Sequence, residues 1–530
     1  MSSPLETNLI RRIALGDMVR RRAQSHENQE ALVEYKAGNR LALTYSGLNS
    51  RLNRFVAAMR AAGIRQGDRV AVIGPNSIDY MTALLGIFKG GFVAVPMNYH
   101  QSREDIHYTI DHSGARAILA DYSLFPRMEE MACSAGDDFV LVGFNDAGDK
   151  KTSAFSSLDA FLNGHPDDEI EDIIIEDDDS AQIMYTSGTT ARPKGVVASH
   201  KNLFITSLNS ALSIGIGQES ADTGIVLPLF HITAELAALL SLHLGGKLVL
   251  VAEFQPDDIL HLIESERINT MALLPLMWKA LAASPNIGRY DYSSLKRCMY
   301  GMAPMDAVTL KSLGRTFGCT FSLCSGQTEI AGVATRLAPV WGEVKEGNYW
   351  GDGSVTCDQA IMDEEGRILS RGKVGEIVWR SPQVMLGYYK DEQSTAASRA
   401  HGWHHSGDIG FIDEDNQLRF IDRNKDIVKT GGENVSSIKI EESILELEGI
   451  ANAGVVGLPH SHWGEAVTAF VSLTPGLRLT EQMILEHCKK KLGRFEVPKK
   501  VLFLDQFPVT ATGKVKKHML KQAYANVYGV

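Results

Sequence analysis

Short apolar runs alternate along the chain with longer segments whose apolar positions recur at helical spacing. RVAVIG (Arg69 to Gly74) reads as a buried strand, and the Pro75–Asn76–Ser77 after it suits the start of a helix. SIDYMTALLGIFKGG carries the helical period, stops at Gly90 and Gly91, and gives way to FVAVPM. ARAILAD, FVLVG, GIVLPL, KLVLV and TMALLP repeat the theme. Strand and helix patterns in alternation predict a parallel, layered α/β architecture.

From about Val374 the texture changes. GEIVWRS and QLRFID, with Gly-rich turns nearby, predict a strand-rich subdomain. After DRNKD (Asp422 to Asp426) comes a tail of small-domain size. There IKIEESILEL, AGVVGL, AVTAFVSL, a Lys-rich helix over Gln482 to Lys491 and KVLFLDQF mix helix and strand signals. The expected fold is α/β: a large N-terminal domain of layered, mostly parallel sheets with helices plus a strand-rich subdomain, and a small α+β C-terminal domain. The boundaries fall at 1–421, 422–425 and 426–530, and 530 residues in any case exceed what one core organises.

Composition narrows the class of protein. With 44% hydrophobic and 22% charged residues, the chain is an ordinary globular one. A formal charge of -11 argues against broad nucleic-acid binding, which needs a positive face, yet one local basic site suffices for a small anionic substrate. The six cysteines are scattered, without a C-x-x-C pair or metal-ligand spacing, and are expected to be reduced core thiols of a cytoplasmic protein. MSSPLETNLIRR lacks the apolar stretch of a signal peptide, and no run of about 18 apolar residues predicts a spanning helix. The acidic run Pro166 to Ser180 reads as a solvated connector in preference to a metal site. KKKLGR, with Lys499 and Lys500, is either a solvated helix face or a seat for a polyanionic ligand.

The stretch richest in chemistry is YTSGTTARPKGVV, Tyr185 to Val197. Thr186, Ser187, Thr189 and Thr190 surround Gly188, and Lys194 adds a charge. Backbone N–H groups turned inward by Gly-rich geometry make a concave anion site, to which hydroxyls add donors. Pro193 limits the backbone freedom that opposes ordering. The loop lacks the G-x-x-x-x-G-K-[ST] order of a kinase P-loop, so it reads as a phosphate holder of another kind.

The whole string resembles the signature loop of the AMP-forming acyl-CoA synthetase, or adenylate-forming, family, whose Y-[ST]-S-G-[ST]-T-G-x-P-K-G loop embraces the β- and γ-phosphates of ATP. Ala191 stands where the family usually has Gly, so the backbone there should avoid positive φ. Further motifs occur in the family's order and extend the resemblance over nearly the entire chain. SGQTE resembles the Y-G-x-T-E segment. This implies Ser325, Gly326 and Gln327 at the nucleotide, Thr328 at the α-phosphate, and Glu329 with Thr186 on Mg²⁺. Ser325 replaces an aromatic that stacks on adenine, so either another side chain stacks or ATP binds more weakly. YGMAPMD resembles the G-G-A-P segment that wraps adenine and borders the acyl pocket. It implies Gly301, Ala303 and Pro304 at the nucleotide, with Met302 and Cys324 at the acyl group.

HHSGDIG resembles the x-x-T-G-D segment and gives Asp408 the ribose hydroxyls, a role that suits a carboxylate because it accepts two hydrogen bonds from a cis-diol. DRNKD resembles the interdomain hinge, with Arg423 toward AMP and Lys425 at the hinge position. KTGGENVSS resembles the glycine-turn segment of the pantetheine tunnel and implies Gly431, Gly432 and Glu433 there. Ser436 and Ser437 replace its usual aromatic–Pro, and Lys439 a frequent acid. PVTATGKVKK resembles the C-terminal P-x-x-x-x-G-K segment, making Lys514 the catalytic lysine of a mobile C-terminal domain. LPLFHITAE resembles the segment whose His flanks the acyl pocket, here His231; a satisfied core histidine is the competing reading.

The resemblance implies an acid–thiol ligase that uses ATP, Mg²⁺ and coenzyme A. A substrate carboxylate attacks the α-phosphorus, pyrophosphate leaves, and the acyl-adenylate is then captured by a thiol. The substrate is itself the nucleophile, so no Ser/His/Asp arrangement is needed. The expected substrate is a medium-sized monocarboxylic acid, aliphatic or aromatic, because LPLFH, YGMAP and LCSGQ offer no fixed cation for a second carboxylate. A carnitine/crotonobetaine-type ligase, an enzyme loading a carrier protein, and an ATP-binding phosphotransferase are the alternatives, and a homodimer is an open option.

Overall fold

The computed structural model describes residues 3–124, 139–145, 156–186, 192–301, 305–337, 347–509 and 515–529. The expected alternation is realised where the sequence pattern is strongest. Arg69–Ile73, Val93–Met97 and Ala117–Asp121 run parallel, and Val140–Phe144 lies beside the last of them. The helix Ile78–Lys89 makes the first crossover, started by Ser77, whose hydroxyl accepts the Tyr80 N–H at 3.1 Å. Every residue of it but Asp79 is buried. Gly86 admits the ring of Phe55, to which a Cβ would come within 2.4 Å, and Gly91, at φ +66, turns the chain into the next strand.

Among the described residues this sheet runs in the order Gly387–Tyr388, Lys194–Ser199, Ser180–Thr186, Val93–Met97, Arg69–Ile73, Ala117–Asp121, Val140–Phe144 and Ser156–Ser157. A second parallel set places Leu248–Leu250, Thr223–Ile225, Thr270–Leu273, Arg297–Tyr300 and Thr320–Gln327 side by side, and Gly332–Leu337 adds an antiparallel strand. GIVLPL yields only a three-residue strand. Pro228 cannot donate to a ladder, and the Asn76 side-chain amide takes the Leu227 and Val251 carbonyls at 3.0 and 3.1 Å. Phe55, Leu84, Phe88, Leu239 and Leu242 are fully buried in one cluster, each contributing about 1.5–3 kcal/mol by removal from water.

Contacts divide the chain into two compact units, Met1–Gln359 with Trp379–His404 and Ala360–Val378 with His405–Val530. In the second, Ile450–His460 and Gly464–Leu473 form an antiparallel pair, and Lys500–Phe503 runs parallel to the latter. The helices Ser437–Leu445 and Glu481–Lys491 share its core. Asp422, fully buried, holds the first of these helices. Its Oδ2 accepts the Ser437 N–H and the Ser437 hydroxyl, both at 2.6 Å, which sets a negative charge at the positive end of the helix. The Ser436–Ser437 departure therefore has a local purpose, because a proline could not supply that N–H.

The acidic connector is largely solvated, as expected: Asp167, Asp168, Glu171, Asp172, Glu176 and Asp178 are exposed, while Glu169 meets the buried Lys89 at 2.7 Å, Asp172 meets Arg60 at 2.9 Å, and Ile173 and Ile175 are buried. No group of three His, Cys, Asp or Glu that could hold a metal ion occurs among the described residues, and no described helix is long and apolar enough to cross a membrane.

Candidate active site

Ser180–Thr186 and Lys194–Ser199 are the two arms of an antiparallel hairpin whose last registered pair is Thr186 with Lys194. The Ser/Thr/Gly loop thus leaves from a fixed pair of residues. Ser187, Gly188, Thr189, Thr190 and Ala191 lie outside the described residues. Behind Thr186, the Tyr185 hydroxyl and His112 Nδ1 are 2.8 Å apart, and burial raises the Tyr185 phenol above its ordinary range.

Lys194 is held by a segment that the sequence reading did not single out. Its ammonium donates to Ser394 Oγ, lies 3.4 Å from Asp391 Oδ2, and sits 5.0 Å from the centre of the Tyr388 ring. Tyr388 is placed there because Gly387–Tyr388 pairs antiparallel with Lys194–Ser199, Tyr388 opposite Val196. Asp391 also caps the short helix Glu392–Ala397 by accepting the Ser394 N–H at 2.9 Å. Its bonds to Ser394, and secondarily the charge of Lys194, hold its carboxyl below the usual range.

The same tyrosine reaches the SGQTE segment. Thr320–Gln327 delivers Ser325, Gly326 and Gln327, and Thr328 and Glu329 occupy the tight turn Thr328–Ile330. Ala331, at φ +51, closes that turn by donating its N–H to the Thr328 carbonyl at 2.9 Å. The strand end is crowded: a Cβ on Gly326 would fall 1.7 Å from the Gly332 carbonyl oxygen, so only glycine fits. The Tyr388 hydroxyl donates to Glu329 Oε1 at 3.0 Å, and the Met385 N–H donates to the Glu329 carbonyl at 2.8 Å. Burial, and then the Glu329 charge, push the Tyr388 phenol far up, which keeps it a donor. Two residues expected at ATP, Lys194 and Glu329, are therefore linked through one aromatic side chain. The second carboxylate oxygen of Glu329 has no protein partner among the described residues. It is a hard oxygen of the kind Mg²⁺ takes one or two of, filling the rest of its octahedron with phosphate and water.

Gly301 and Cys324 lie on neighbouring parallel strands. Tyr300 is registered with Leu323, and a Cβ on Gly301 would stand 3.0 Å from the Cys324 carbonyl. Burial pushes the Cys324 thiol up to about 12. Ser325 faces Thr335 across the ladder. Met302, Ala303 and Pro304 lie outside the described residues.

His231 occupies the N-cap position of the helix Ile232–Leu244. Its ring lies 4.6 Å from that of Phe230, which meets Tyr99 edge-on at 5.5 Å. Burial lowers its pKa to about 4, so the ring is neutral near pH 7. Its Nε2 is buried and finds no partner among the described residues, a feature it shares with the buried His200 and His243. One turn on, Glu235 is completely buried against Gln182, with the amide 2.8 and 2.9 Å from the two carboxyl oxygens. Burial raises Glu235 to about 8. The protonated acid can donate to the amide oxygen, so the pair is satisfied near neutral pH whichever way the amide is turned.

In the second unit, Asp408 is registered opposite Arg423, and their side chains are 3.7 Å apart. Lys425 lies in the turn that follows; burial, and then Arg423, lower its pKa, and its carbonyl accepts the Lys521 ammonium at 3.2 Å. Gly431 and Gly432, at φ +60 and +87, form the tip between Val428–Thr430 and Glu433–Val435, and Glu433 is exposed. Lys514 lies outside the described residues. Tyr388, Asp391 and Ser394 are the residues that sequence reasoning missed. The available signal was LGYYKDEQS, an aromatic pair running into an Asp that can cap a helix.

A family model described as AMP-binding enzyme matches residues 19–389, and one described as AMP-binding enzyme C-terminal domain matches 439–514. The chain belongs to the AMP-forming acyl-CoA synthetase family. This acid–thiol ligase is similar to the feruloyl-CoA synthase of an Amycolatopsis species, 32% identical over 484 residues, which span 91% of this chain and 94% of that protein. It is also similar to the long-chain-fatty-acid–CoA ligase FadD13 of Mycobacterium tuberculosis, 29% identical over 516 residues, 96% of this chain and 98% of that one. Among solved structures, ATP-bound MatB from Rhodopseudomonas palustris superposes with a TM-score of 0.85 at 27% identity, covering 97% of this synthetase and 99% of that chain.

Proposed function

We propose that this synthetase activates a medium-sized monocarboxylic acid, aliphatic or aromatic, and passes the acyl group to coenzyme A, with Mg²⁺ on the nucleotide. The observation that carries the residue assignment is the Lys194–Tyr388–Glu329 connection beside the hairpin that presents the phosphate loop. The substrate class rests on His231, which is buried and neutral near pH 7 and so offers no cation to a second carboxylate. The feruloyl-CoA synthase and the long-chain-fatty-acid ligase, similar over more than nine-tenths of the chain, support a monocarboxylic substrate.

In the first half-reaction a carboxylate oxygen attacks the α-phosphorus of ATP, the bond to the bridging oxygen breaks, and pyrophosphate leaves. Charge builds on the α-phosphate and on the leaving group, so fixed donors and cations carry the catalysis. Thr328 meets the α-phosphate, and Lys194 with the Thr186–Thr190 loop anchors the pyrophosphate. Glu329 and Thr186 would hold Mg²⁺, which would neutralise phosphate charge. Asp408 takes the ribose hydroxyls, Arg423 supports it, and Lys514 bears on the reacting phosphate. In the second half-reaction the pantetheine thiol attacks the acyl carbonyl and AMP leaves. Rotation about 422–425 removes Lys514 and brings Gly431, Gly432 and Glu433 to the site, a hinge motion of a known kind.

Lys514→Ala should abolish pyrophosphate release, while thioester formation from supplied acyl-adenylate stays largely intact. Equal loss of both half-reactions would overturn the assignment. Pyrophosphate release over a panel of acids, with free CoA as acceptor, tests the substrate class: dicarboxylates should be turned over far more slowly than monocarboxylates of equal length.

A further inference from the structure

Away from the reaction centre, two cysteines face each other at the opposite end of the strands that carry it. Cys298 lies in Arg297–Tyr300, and Cys319 immediately precedes Thr320–Gln327. Their Sγ atoms are 3.1 Å apart, and Cys298 is fully enclosed. Cys319, 4% exposed, lines a surface cleft of about 340 Å³ with Glu219, Lys296, Arg297 and Thr320. Lys296 donates to the Glu219 backbone carbonyl at 3.1 Å and Arg297 to that of Gly215 at 3.2 Å. Neither pairs with a carboxylate among the described residues, so the two cations outnumber the one acid of the lining, Glu219. Gly318, at φ +64 and with open space around a would-be Cβ, precedes Cys319 and gives the backbone room to adjust.

We propose that Cys298 and Cys319 form an oxidation-sensitive dithiol site, in which a hydroperoxide entering the cleft converts the pair to an intramolecular disulfide. Three features point the same way. The sulfurs are already in contact, Cys319 borders a cleft lined by two cations and one carboxylate, and Cys298 is fully enclosed and can act only as the resolving partner. Burial raises the Cys298 thiol well above its ordinary range, consistent with that order of events.

With hydrogen peroxide the step balances as follows. The Cys319 sulfur takes one peroxide oxygen as the O–O bond breaks, giving a sulfenic acid and one water. The Cys298 sulfur then attacks the Cys319 sulfur, the S–O bond breaks, and a second water leaves with the remaining thiol proton. The two thiols lose two electrons and two protons in total, and the peroxide receives them. The bond would staple the ends of two strands whose other ends present Gly301 and Ser325 to Gln327.

The test is peptide mapping of the intact chain after dilute hydrogen peroxide, with alkylation in denaturant before any reductant. The expected product joins the peptides of Cys298 and Cys319, is lighter by two hydrogen masses, and is cleaved by a dithiol. In Cys298→Ser the oxidation should stop at a Cys319 sulfenic acid trapped by a 1,3-diketone, and in Cys319→Ser, Cys298 should stay alkylatable. Full alkylation of both thiols in the treated parent, with Cys357 or Cys488 oxidised first, would overturn the proposal. So would a linked product pairing either cysteine with a different partner.

Discussion

The phenol of Tyr388 donates to Oε1 of Glu329 over 3.0 Å, while its ring stands 5.0 Å from the ammonium of Lys194. One side chain thus orients a carboxylate and seats a cation. Tyr388→Phe keeps the ring and removes only the donor. For that variant kcat/KM for ATP should fall by about 10-fold, the range seen when a partner of a metal-holding carboxylate is lost. The Mg²⁺ concentration needed for half-maximal ATP binding, read by calorimetry, should rise, with the melting temperature little changed. An unaltered Mg²⁺ dependence would remove Tyr388 from the site.

Asp408→Asn, isosteric and uncharged, tests the ribose assignment without emptying the space beside Arg423. The parent should prefer ATP to 2′-deoxy-ATP in pyrophosphate release, and the variant should lose most of that preference along with about 1.5–3 kcal/mol of binding. A variant that still discriminates as strongly would place the ribose elsewhere.

Glu235 offers a pH prediction. Its folded pKa of about 8 lies above the ordinary 4.5, so the folded state holds a proton that the unfolded chain releases. The stability tied to that proton is complete below pH 4.5 and drains away as pH rises to about 8, by up to about 5 kcal/mol. Glu235→Gln should match the parent's melting temperature near its acid limit, exceed it increasingly up to about pH 8, and keep a constant margin beyond. A margin that does not grow with pH would mean Glu235 is already ionised at neutrality.

Much of this molecule was legible in the sequence, for reasons that differ by region. RVAVIG and SIDYMTALLGIFKGG became Arg69–Ile73 and Ile78–Lys89 because local period, cap and terminal glycines agree there. The family resemblance of YTSGTTARPKGVV was legible because its residues are consecutive in sequence, whereas the hairpin Ser180–Thr186 with Lys194–Ser199 that carries its ends was not read there. Tyr388 was not legible either, since its partners Glu329 and Lys194 come from distant segments and meet it only through strand pairing. The acidic connector read as solvated, and most of its carboxylates are exposed; its anchoring through Glu169 to Lys89 was not legible, because that lysine lies on a helix far earlier in the chain. The Gln182–Glu235 pair likewise joins a strand to a helix with nothing local to announce it.

Gly326→Ala is the sharpest steric test. A methyl group 1.7 Å from the Gly332 carbonyl oxygen must displace backbone, and that backbone holds the Thr328–Ile330 turn. ATP binding should be lost by titration calorimetry, and the melting temperature should drop by several degrees. A variant with normal ATP affinity would mean that the turn does not serve the nucleotide.

The two-residue strand Gly387–Tyr388 has a bearing on solubility as well. Among the described residues it is the outermost strand of its sheet, laid along Lys194–Ser199. Without it, KGVVAS would present a bare edge with paired valines at its centre, the sort of surface on which a second chain can template itself. A two-residue outer strand covers that edge while itself offering too short a ladder for a second chain to extend.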